Sequence, residues 1–379
     1  MFPLDRKGYV VMSSTPTIRE ANFDDYPGIS ALQLRYGLGP KDYSEWKHLW
    51  VANPVYQVAR SWPIGWILEN ENKEVVGHIG NIPLSYEFKG QQLLATTGHG
   101  LVVDSRYRGY SLPLLSHFFD QKQVDLFINT TVNAHASRVY ELFRARRVPV
   151  GAWDKSWFWI TNYKGFLASL LTKKNLTLLQ PLIYPVAIGF QLQEMVSKRI
   201  IKAGKDGIDI RICNRFDERF EQFWDELRCT LHHQLLATRS RKVLEWHFHN
   251  GLKNNRAWVV TVDDGSGIVG YCIFCRQDNV ELGLQRMNLA DFQVLNGNTK
   301  LLAPMLSWAY ERCRQEGIHM LEVIGLQPEK QRVVDELQPH QRRLSSWQYF
   351  YKTNNNALAA NIANSSVWDP YCFDGDASL

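Results

Sequence analysis

The same succession of signals occurs twice along this sequence, and this internal repeat constrains the fold more than any other feature. Each half opens on a short strand pattern, at residues 17–22 and 209–214, which leads into a helix with apolar residues at helical spacing. The pair Glu45-Trp46 of the first half is echoed by Glu245-Trp246 in the second. Because these landmarks recur in one order, the sequence predicts two copies of a single α/β unit.

Each half continues with a β-hairpin. In the first half, residues 66–68 turn through a polar run into residues 75–77, and in the second, residues 258–260 turn through an Asp-Gly segment into residues 268–270. A strand, a helix, a strand, a helix and a closing aromatic strand follow each hairpin. The closing strands are expected at residues 157–161 and 347–352. Each unit should therefore form a mixed, mostly antiparallel sheet flanked by helices.

These landmarks divide the 379 residues into four segments. The two copies are expected at residues 15–163 and 207–353, and an apolar and basic helical linker joins them at residues 164–206. The last segment, residues 354–379, begins with three asparagines, and we expect its end to be poorly ordered. The expected fold class is thus α/β with two tandem domains.

The linker carries an apolar stretch at residues 176–190, with Lys173-Lys174 before it and Lys198-Arg199 after it. The stretch contains Pro181, Pro185 and Gly189 and is too short to cross a bilayer. Two interpretations remain. The linker can pack helices between the two domains, or residues 164–205 can make peripheral contact with a membrane surface through apolar side chains with basic flanks.

Charge and cysteine usage bear on the class of protein. The net charge of +5 is mild and the basic runs are short, so a nucleic-acid partner other than a tRNA is not expected. Residues 1–9 are broken by a proline and by charges, so no secretory signal is expected. Cys272 and Cys275 lie in an apolar strand pattern, which favours reduced buried thiols over a metal site. We expect a cytoplasmic, possibly membrane-associated, protein that needs no metal.

A strand, a short loop and a helix in the first half have the layout of an anion site. Residues 96–103 form an apolar strand pattern, residues 104–111 form a polar loop, and a helix is expected from Leu112. Unpaired N–H groups of a first helical turn attract anions, and the helix dipole adds to their pull. Arg108 can donate a charge-assisted bond to the same anion, whereas Pro113 removes one backbone donor.

The following strand and helix make this region resemble a known family. Asn133, Ala136 and Tyr140 stand at the positions of an Asn-x-x-Ala-x-x-x-Tyr helix. Members of the GNAT (acyl-CoA N-acyltransferase) superfamily carry such a helix after a strand that splays from its neighbour. Upstream, residues 102–104 followed by residues 107–109 resemble the pyrophosphate-binding motif of that superfamily, Arg-x-x-Gly-x-Gly/Ala. The resemblance runs through the first expected domain in the standard order and more loosely through the second, and implies two tandem GNAT-like domains.

The resemblance also implies a function for individual residues. The donor would be acetyl-CoA or another acyl-CoA, and the acceptor an amine on a small molecule or a peptide. The pantetheine arm would pair with the backbone of Leu101, Val102 and Val103. The pyrophosphate would lie on the turn formed by Arg108, Gly109, Tyr110, Ser111 and Leu112. Asn133 would hydrogen-bond the end of the pantetheine, and Tyr140 would protonate the departing thiolate.

Direct attack on a thioester requires a neutral amine, and hence a base or a water relay. His99, on the strand that enters the site, is the candidate base because the ordinary pKa of histidine lies near physiological pH. A structural histidine is the competing interpretation of His99, and a tyrosine that packs on the sheet is the competing interpretation of Tyr140.

The second copy lacks the arginine and the helix motif that the resemblance assigns to acyl-CoA binding and catalysis in the first copy. Its corresponding loop, residues 291–299, has no arginine that matches Arg108, and the helix that begins near Pro328 has no Asn-x-x-Ala-x-x-x-Tyr pattern. We therefore expect a degenerate second domain, in a layout similar to that of mycothiol synthase-like enzymes and peptidoglycan aminoacyltransferases. Three functions remain open, which are transfer of an acetyl or other short acyl group, transfer of a long-chain acyl or aminoacyl group, and a non-catalytic binding module.

Overall fold

Strands and helices follow one another along the chain much as the repeat predicts. A computed structural model describes residues 15–59, 61–176, 178, 181, 183–196, 208–344 and 347–379, with the backbone alone at residues 190–196. The strands are β1 (Thr17–Glu20), β2 (Gly65–Glu69), β3 (Val75–Phe88), β4 (Gln91–Val103), β5 (Leu126–Val132), β6 (Arg146–Arg147), β7 (Lys155–Ile160), β8 (Ile210–Cys213), β9 (Leu236–Ala237), β10 (Ala257–Asp263), β11 (Ile268–Arg276), β12 (Arg286–Val294), β13 (Met320–Ile324), β14 (His340–Arg343) and β15 (Gln348–Lys352). The helices are α1 (Tyr26–Arg35), α2 (Tyr43–Val51), α3 (Pro54–Val58), α4 (Ser111–Phe119), α5 (Ala134–Leu142), α6 (Tyr163–Lys173), α7 (Ile183–Val196), α8 (Glu218–Thr230), α9 (Arg241–Lys253), α10 (Leu302–Gln315), α11 (Pro328–Glu336) and α12 (Asn356–Asn361).

The strands form two mixed sheets of matching order. The first runs β1-β2-β3-β4-β5-β15-β6, with the two-residue β9 added at β3, and the second runs β8-β10-β11-β12-β13-β7-β14. The closing strand lies between β5 and β6 in the first sheet, and between β13 and β14 in the second. That closing strand, however, comes from the other half of the chain, since β15 pairs antiparallel with β5, and β7 with β13. The expected α/β fold with two mixed sheets is present, and the two halves exchange their last strands.

One parallel pair of strands occurs at the same place in each sheet. β4 pairs with β5, and β12 pairs with β13, over only two or three residues of each strand. The paired residues are Ala95–Leu126 and Thr96–Phe127 in the first sheet, and Arg286–Met320, Met287–Leu321 and Asn288–Glu322 in the second. Both β4 and β12 continue for several residues beyond these pairs, to Val103 and Val294.

The first compact unit comprises the described residues up to Lys47, together with Ser61–Ile82 and Gly98–Gln121. Its core is formed by buried apolar side chains of α1, β2, β3 and α4, which include Ile29, Leu32, Ile67, Ile79, Leu115 and Phe118. Arg19 on β1 bonds Asp25 at 2.7 Å and Glu69 at 2.6 Å, and the guanidinium lowers the pKa of both carboxyls. This ion-pair network ties the first strand to the start of α1.

The second compact unit consists of His48–Arg60, Pro83–Thr97 and Lys122–Leu379. Trp157 and Trp159 of β7 are buried in it, as expected of an aromatic closing strand. The indole N–H of Trp157 donates to Asp335 Oδ1 at 2.8 Å, and that of Trp159 donates to the Leu337 carbonyl at 3.1 Å. The polar atoms of these large side chains are therefore satisfied inside the core.

The tail after Thr353 is folded, so the expectation of a poorly ordered end is wrong. Its large apolar side chains Trp368, Tyr371 and Phe373 are buried and so form part of the core. Arg239 links the tail to β12. Its guanidinium donates to Asp374 of the tail at 2.8 Å and to Asp291 on β12 at 2.9 Å. All three charged groups are buried, and the tail is an integral part of the second unit.

The linker contains the two helices α6 and α7. Asn162 caps α6 by accepting the Gly165 N–H at 3.0 Å. Residues 197–206 of the expected linker lie outside the described residues. Within the described part of the chain, no helix is both long enough and apolar enough to cross a membrane.

Candidate functional site

The loop after β4 is organised by the buried carboxylate of Asp104. The Asp104 N–H donates to the Val76 carbonyl on β3 at 2.8 Å, which fixes the end of β4. The Asp104 side chain accepts the Arg106 N–H at 3.0 Å and so caps a 3-10 turn over Ser105–Tyr110. This backbone N–H lowers the pKa of Asp104 most, burial opposes it, and the Arg106 guanidinium lowers it further. An ionised Asp104 therefore holds the loop in shape.

Helix α4 begins at Ser111, one residue before the expected start, with Pro113 in its first turn. Ser111 is not the N-cap, since that position falls to Tyr110. Instead, Ser111 donates both its N–H and its hydroxyl to the Arg108 carbonyl, the hydroxyl at 2.8 Å. One of the backbone donors expected to face an anion is thus used by the chain itself, and side-chain cations become more important for the site.

Three arginines belong to this loop or contact it. Arg35 at the end of α1 and Arg106 share the Asp104 carboxylate, at 3.2 and 3.3 Å, and both side chains are more than half exposed. Arg108 is exposed, and no ion pair engages it among the residues that the structure describes. The sequence did not single out Arg35, because it lies 69 residues from Asp104 and has no local pattern of its own.

His99 on β4 has a neighbour that the sequence did not single out. His78 on β3 is fully buried, its Nδ1 lies 3.3 Å from the Gly100 carbonyl oxygen, and burial lowers its pKa to about 4. His99 keeps part of its surface exposed, yet its enclosure, and to a smaller extent Lys41, lower its pKa to about 4 as well. Both imidazoles are neutral at pH 7. A neutral His99 can accept a proton, but this pKa makes it a weak base.

Gly100, the next residue of β4, is required by its surroundings. Its φ of +64° lies in the left-handed region, and a Cβ there would lie 2.4 Å from Gln33 Nε2. Any larger residue would disturb both the α1 side chain and the end of β4. Beyond it, Val102 is buried and Leu101 and Val103 are half-buried, so these three residues extend the strand into the Asp104 loop.

In the second unit, α5 begins where the sequence predicts. Asn133 is its N-cap, and its side-chain oxygen accepts the N–H groups of His135 at 3.0 Å and Ala136 at 2.9 Å. Tyr140 lies in the last turn, where its buried ring sits 5.7 Å from the ring of Phe350 on β15. Burial raises the pKa of Tyr140 well above its ordinary value, and the charge of Asp376 adds to this effect.

Asp376 brings a carboxylate from the tail to β5. It accepts the Thr130 N–H at 2.7 Å and the Thr130 hydroxyl at 2.8 Å, and also the Thr131 hydroxyl. Gly375 permits this approach, because a Cβ at that position would lie 2.6 Å from Thr130 Cγ2. The sequence did not indicate a role for Asp376, because a chain end rich in small and polar residues is typical of poorly ordered tails. The glycine between two aspartates was the only signal.

In the second copy, the tail lies between β12 and α11. Lys330, in the first turn of α11, is buried and bonds Asp369 of the tail. Its ammonium also lies 5.5 Å from the ring centroid of Phe292 on β12 and 4.9 Å from that of Tyr371. Lys330 thus connects the tail with β12 and α11 in this copy.

The sequence-derived site residues fall into two groups. His99, the strand residues Leu101, Val102 and Val103, and the turn residues Arg108, Gly109, Tyr110, Ser111 and Leu112 belong to the first compact unit. Asn133 and Tyr140 belong to the second unit, together with Asp376.

Solved structures are similar to this chain over most of its length. A GCN5-related N-acetyltransferase from Anabaena variabilis is 10% identical with a TM-score of 0.52, and the match covers 90% of this chain and 73% of that chain. A probable N-acyltransferase from Enterococcus faecalis is 9% identical with a TM-score of 0.55, covering 90% and 72%. The Saccharomyces cerevisiae N-myristoyltransferase with bound myristoyl-CoA is 11% identical with a TM-score of 0.55, covering 92% and 81%.

No protein-family model matches the sequence, and no curated protein matches it. At identities near one in ten, the likeness to solved structures concerns the fold. The chain therefore has the GNAT fold, built here as two mixed sheets flanked by helices. The fold that the Asn133–Tyr140 pattern implied is confirmed.

Proposed function

We propose that this chain is an N-acyltransferase, which moves an acyl group, in the simplest case acetyl, from an acyl-CoA to an amine. The observation that carries the proposal is the loop after β4, where Arg35, Arg106 and Arg108 place positive charge beside the start of α4. Guanidinium groups and first-turn N–H groups bind phosphate well, and coenzyme A carries phosphates. The GNAT fold supports the same assignment.

The transfer forms one bond and breaks another. The neutral amine attacks the thioester carbonyl carbon, the C–N bond forms, and the C–S bond breaks with its electron pair going to sulfur. The proton of the amine passes to a base, for which His99 is the candidate, and Tyr140 assists the sulfur. A free thiol has a pKa of about 8.5, below that of Tyr140. Tyr140 therefore stays protonated and helps mainly by donating a hydrogen bond to the thiolate.

Asp376 gives the acceptor side of the reaction a negative charge. Three hydrogen bonds to Thr130 and Thr131 fix its position, and its charge raises the pKa of Tyr140. An aliphatic amine arrives protonated at pH 7 and is attracted by a fixed carboxylate. Asp376 would hold such an ammonium group before its proton is removed.

Thermal unfolding with added ligand tests the donor. Acetyl-CoA at a hundred times its dissociation constant should stabilise the chain by about 2.7 kcal/mol. Arg108→Ala should weaken binding roughly tenfold through loss of a charge-assisted bond. The exposed Arg332 on α11 gives a matched control, and Arg332→Ala should leave binding unchanged. If no coenzyme A species stabilises the protein, the proposal is wrong, and a non-catalytic module becomes the better description.

A long-chain acyl donor is the second candidate. It is favoured by the similarity to N-myristoyltransferase, whose structure contains myristoyl-CoA. Comparison of acetyl-CoA with myristoyl-CoA in the same unfolding experiment separates the two. A larger shift with myristoyl-CoA at equal concentration, together with myristoyl transfer to an amine, would replace acetyl by a long-chain group in the proposal.

A further inference from the structure

The outer face of the helix pair α6–α7 is apolar and exposed. Leu178, between the two helices, is 93% exposed, and Tyr184 and Ile188 of α7 are 61% and 58% exposed. Further large apolar side chains are exposed on the same segment, at Leu170, Leu176 and Val186. Single exposed apolar residues are common on protein surfaces, but six within nineteen consecutive residues form a patch that needs a partner.

The start of α6 is attached to the rest of the second unit by hydrogen bonds and close packing. Thr161 donates its hydroxyl to the Ile318 carbonyl at 2.6 Å, and Asn162 donates to the Gly317 carbonyl at 3.2 Å. Gly165 lies so close to the His319 ring that a Cβ would approach it to 2.2 Å. Among the side chains of α7 that the structure describes, at residues 183–189, the buried ones are Ile183 and Ala187. Within residues 183–189, the exposed apolar side chains Tyr184, Val186 and Ile188 are thus together bulkier than the buried Ile183 and Ala187.

The charged residues of this segment are lysines up to residue 193, and Glu194 follows near the end of α7. From Lys155 to Gln193 the sequence contains no aspartate or glutamate, and its charged residues are Lys155, Lys164, Lys173 and Lys174. Lys173 and Lys174 are exposed at the end of α6, directly before the exposed leucines. Lys164 reaches the exposed Tyr184, with its ammonium 4.3 Å from the ring centroid and bonded to the hydroxyl. Lysines and tyrosines next to apolar side chains suit the boundary between water and lipid.

We propose that the α6–α7 face docks on an anionic membrane surface. The apolar side chains Leu176, Leu178 and Ile188 enter the boundary between headgroups and acyl chains, and Lys173 and Lys174 lie among acidic headgroups. The segment lies on the membrane and does not cross it, in agreement with the lack of a spanning helix among the described residues. An anionic lipid surface fits better than a protein partner because the patch combines apolar side chains with positive charge and no acidic residue. This inference does not depend on the acyl-transfer proposal.

Co-sedimentation with vesicles tests the docking. The full chain should bind vesicles of phosphatidylcholine with 30% phosphatidylserine at 0.1 M salt, and binding should fall at least fivefold at 0.5 M salt, where screening is stronger. The double substitution Leu178→Glu/Ile188→Glu should lower the bound fraction at least tenfold. Val280→Glu is its matched control, since Val280 is 89% exposed but lies outside the segment, and it should bind like the unmodified chain.

The basic part of the surface has its own pair of variants. Lys173→Glu/Lys174→Glu should reduce binding to the anionic vesicles, whereas Lys253→Glu/Lys300→Glu, at two other exposed lysines, should reduce it much less. Equal binding to pure phosphatidylcholine vesicles, or no binding to any vesicle, would overturn the proposal. A concentration-dependent dimer that Leu178→Glu/Ile188→Glu abolishes, without vesicle binding, would instead assign this face to a second copy of the chain.

Discussion

Tyr140 presents its hydroxyl from a ring that is buried against Phe350, so removal of the hydroxyl should leave the helix in place. Tyr140→Phe is expected to lower turnover by about 10²-fold, as for the loss of one positioned hydrogen-bond donor to a developing negative charge. The dissociation constant of the acyl-CoA should change by less than about twofold, since the loop proposed to bind the phosphates is a different part of the chain. Steady-state kinetics and direct binding measure both. Tyr43→Phe, at a half-exposed ring, serves as the control, and unchanged turnover of Tyr140→Phe would remove this residue from the mechanism.

His78 makes stability depend on pH. Its pKa is about 4 in the folded chain against an ordinary value of 6.5. The unfolded chain therefore binds a proton between pH 6.5 and pH 4 that the folded chain does not, and stability falls as the pH falls through this window. The contribution amounts to about 3 kcal/mol. Denaturant unfolding at several pH values should show a shallower loss for His78→Gln. The exposed His135→Gln should keep the full loss, and a profile of His78→Gln that matches the unmodified chain would contradict this assignment.

Single residues were predictable from the sequence only where the neighbours in the chain define their surroundings. Asn133 caps α5 because its partners are the N–H groups two and three residues later. Arg35 and His78 acquire their surroundings from Asp104 and Gly100, which are brought to them by the packing of α1 and the pairing of strands. No local pattern contains this information.

The loop after β4 and the first turn of α4 are proposed to bind the phosphates together. Pro113 is the residue of this turn that has no backbone N–H to donate. Pro113→Ala restores an N–H in the first turn without removing any bond that exists now. Acyl-CoA affinity should rise by roughly twofold to fivefold, as expected for one added hydrogen bond. Isothermal titration measures the change. Pro328→Ala, at the start of α11 in the second copy, is the matched control and should leave affinity unaltered. A fall in affinity of Pro113→Ala would mean that the proline shapes the loop instead.

At the level of elements, the sequence predicted local pairings well. The hairpins β2–β3 and β10–β11 and the helix after Asn133 lie where the patterns placed them. The alternation of aromatic residues identified β7 and β15 as strands, but could not show which sheet each would join. That choice depends on side chains far away in the chain, such as Asp335 beneath Trp157.

At the scale of the whole molecule, we expect the free energy of unfolding to depend on the buried ion pairs of Arg239 with Asp291 and Asp374, which attach the tail to β12. Burial raises the pKa of Asp374 to about 6 although Arg239 opposes this. Asp374→Ala should destabilise the chain by about 3 kcal/mol, because Arg239 then loses one of two buried partners. Asp225→Ala, in the exposed pair with Arg228, should cost less than about 1 kcal/mol. Urea unfolding compares the two variants, and equal costs would show that the tail contributes little to stability.

The exchange of β7 and β15 has a consequence for how the protein is made. On the ribosome, β5 emerges more than two hundred residues before β15, so the first sheet keeps an open edge for most of synthesis. If the gene were cut between the halves, the first product would contain β7 but lack β15, which closes its sheet. The second product would contain β15 but lack β7. We expect the separate halves to be insoluble when expressed alone and to recover a folded complex when expressed together, which solubility and limited proteolysis would reveal. Because each sheet needs a strand from the other half, we expect neither half to fold as an independent domain.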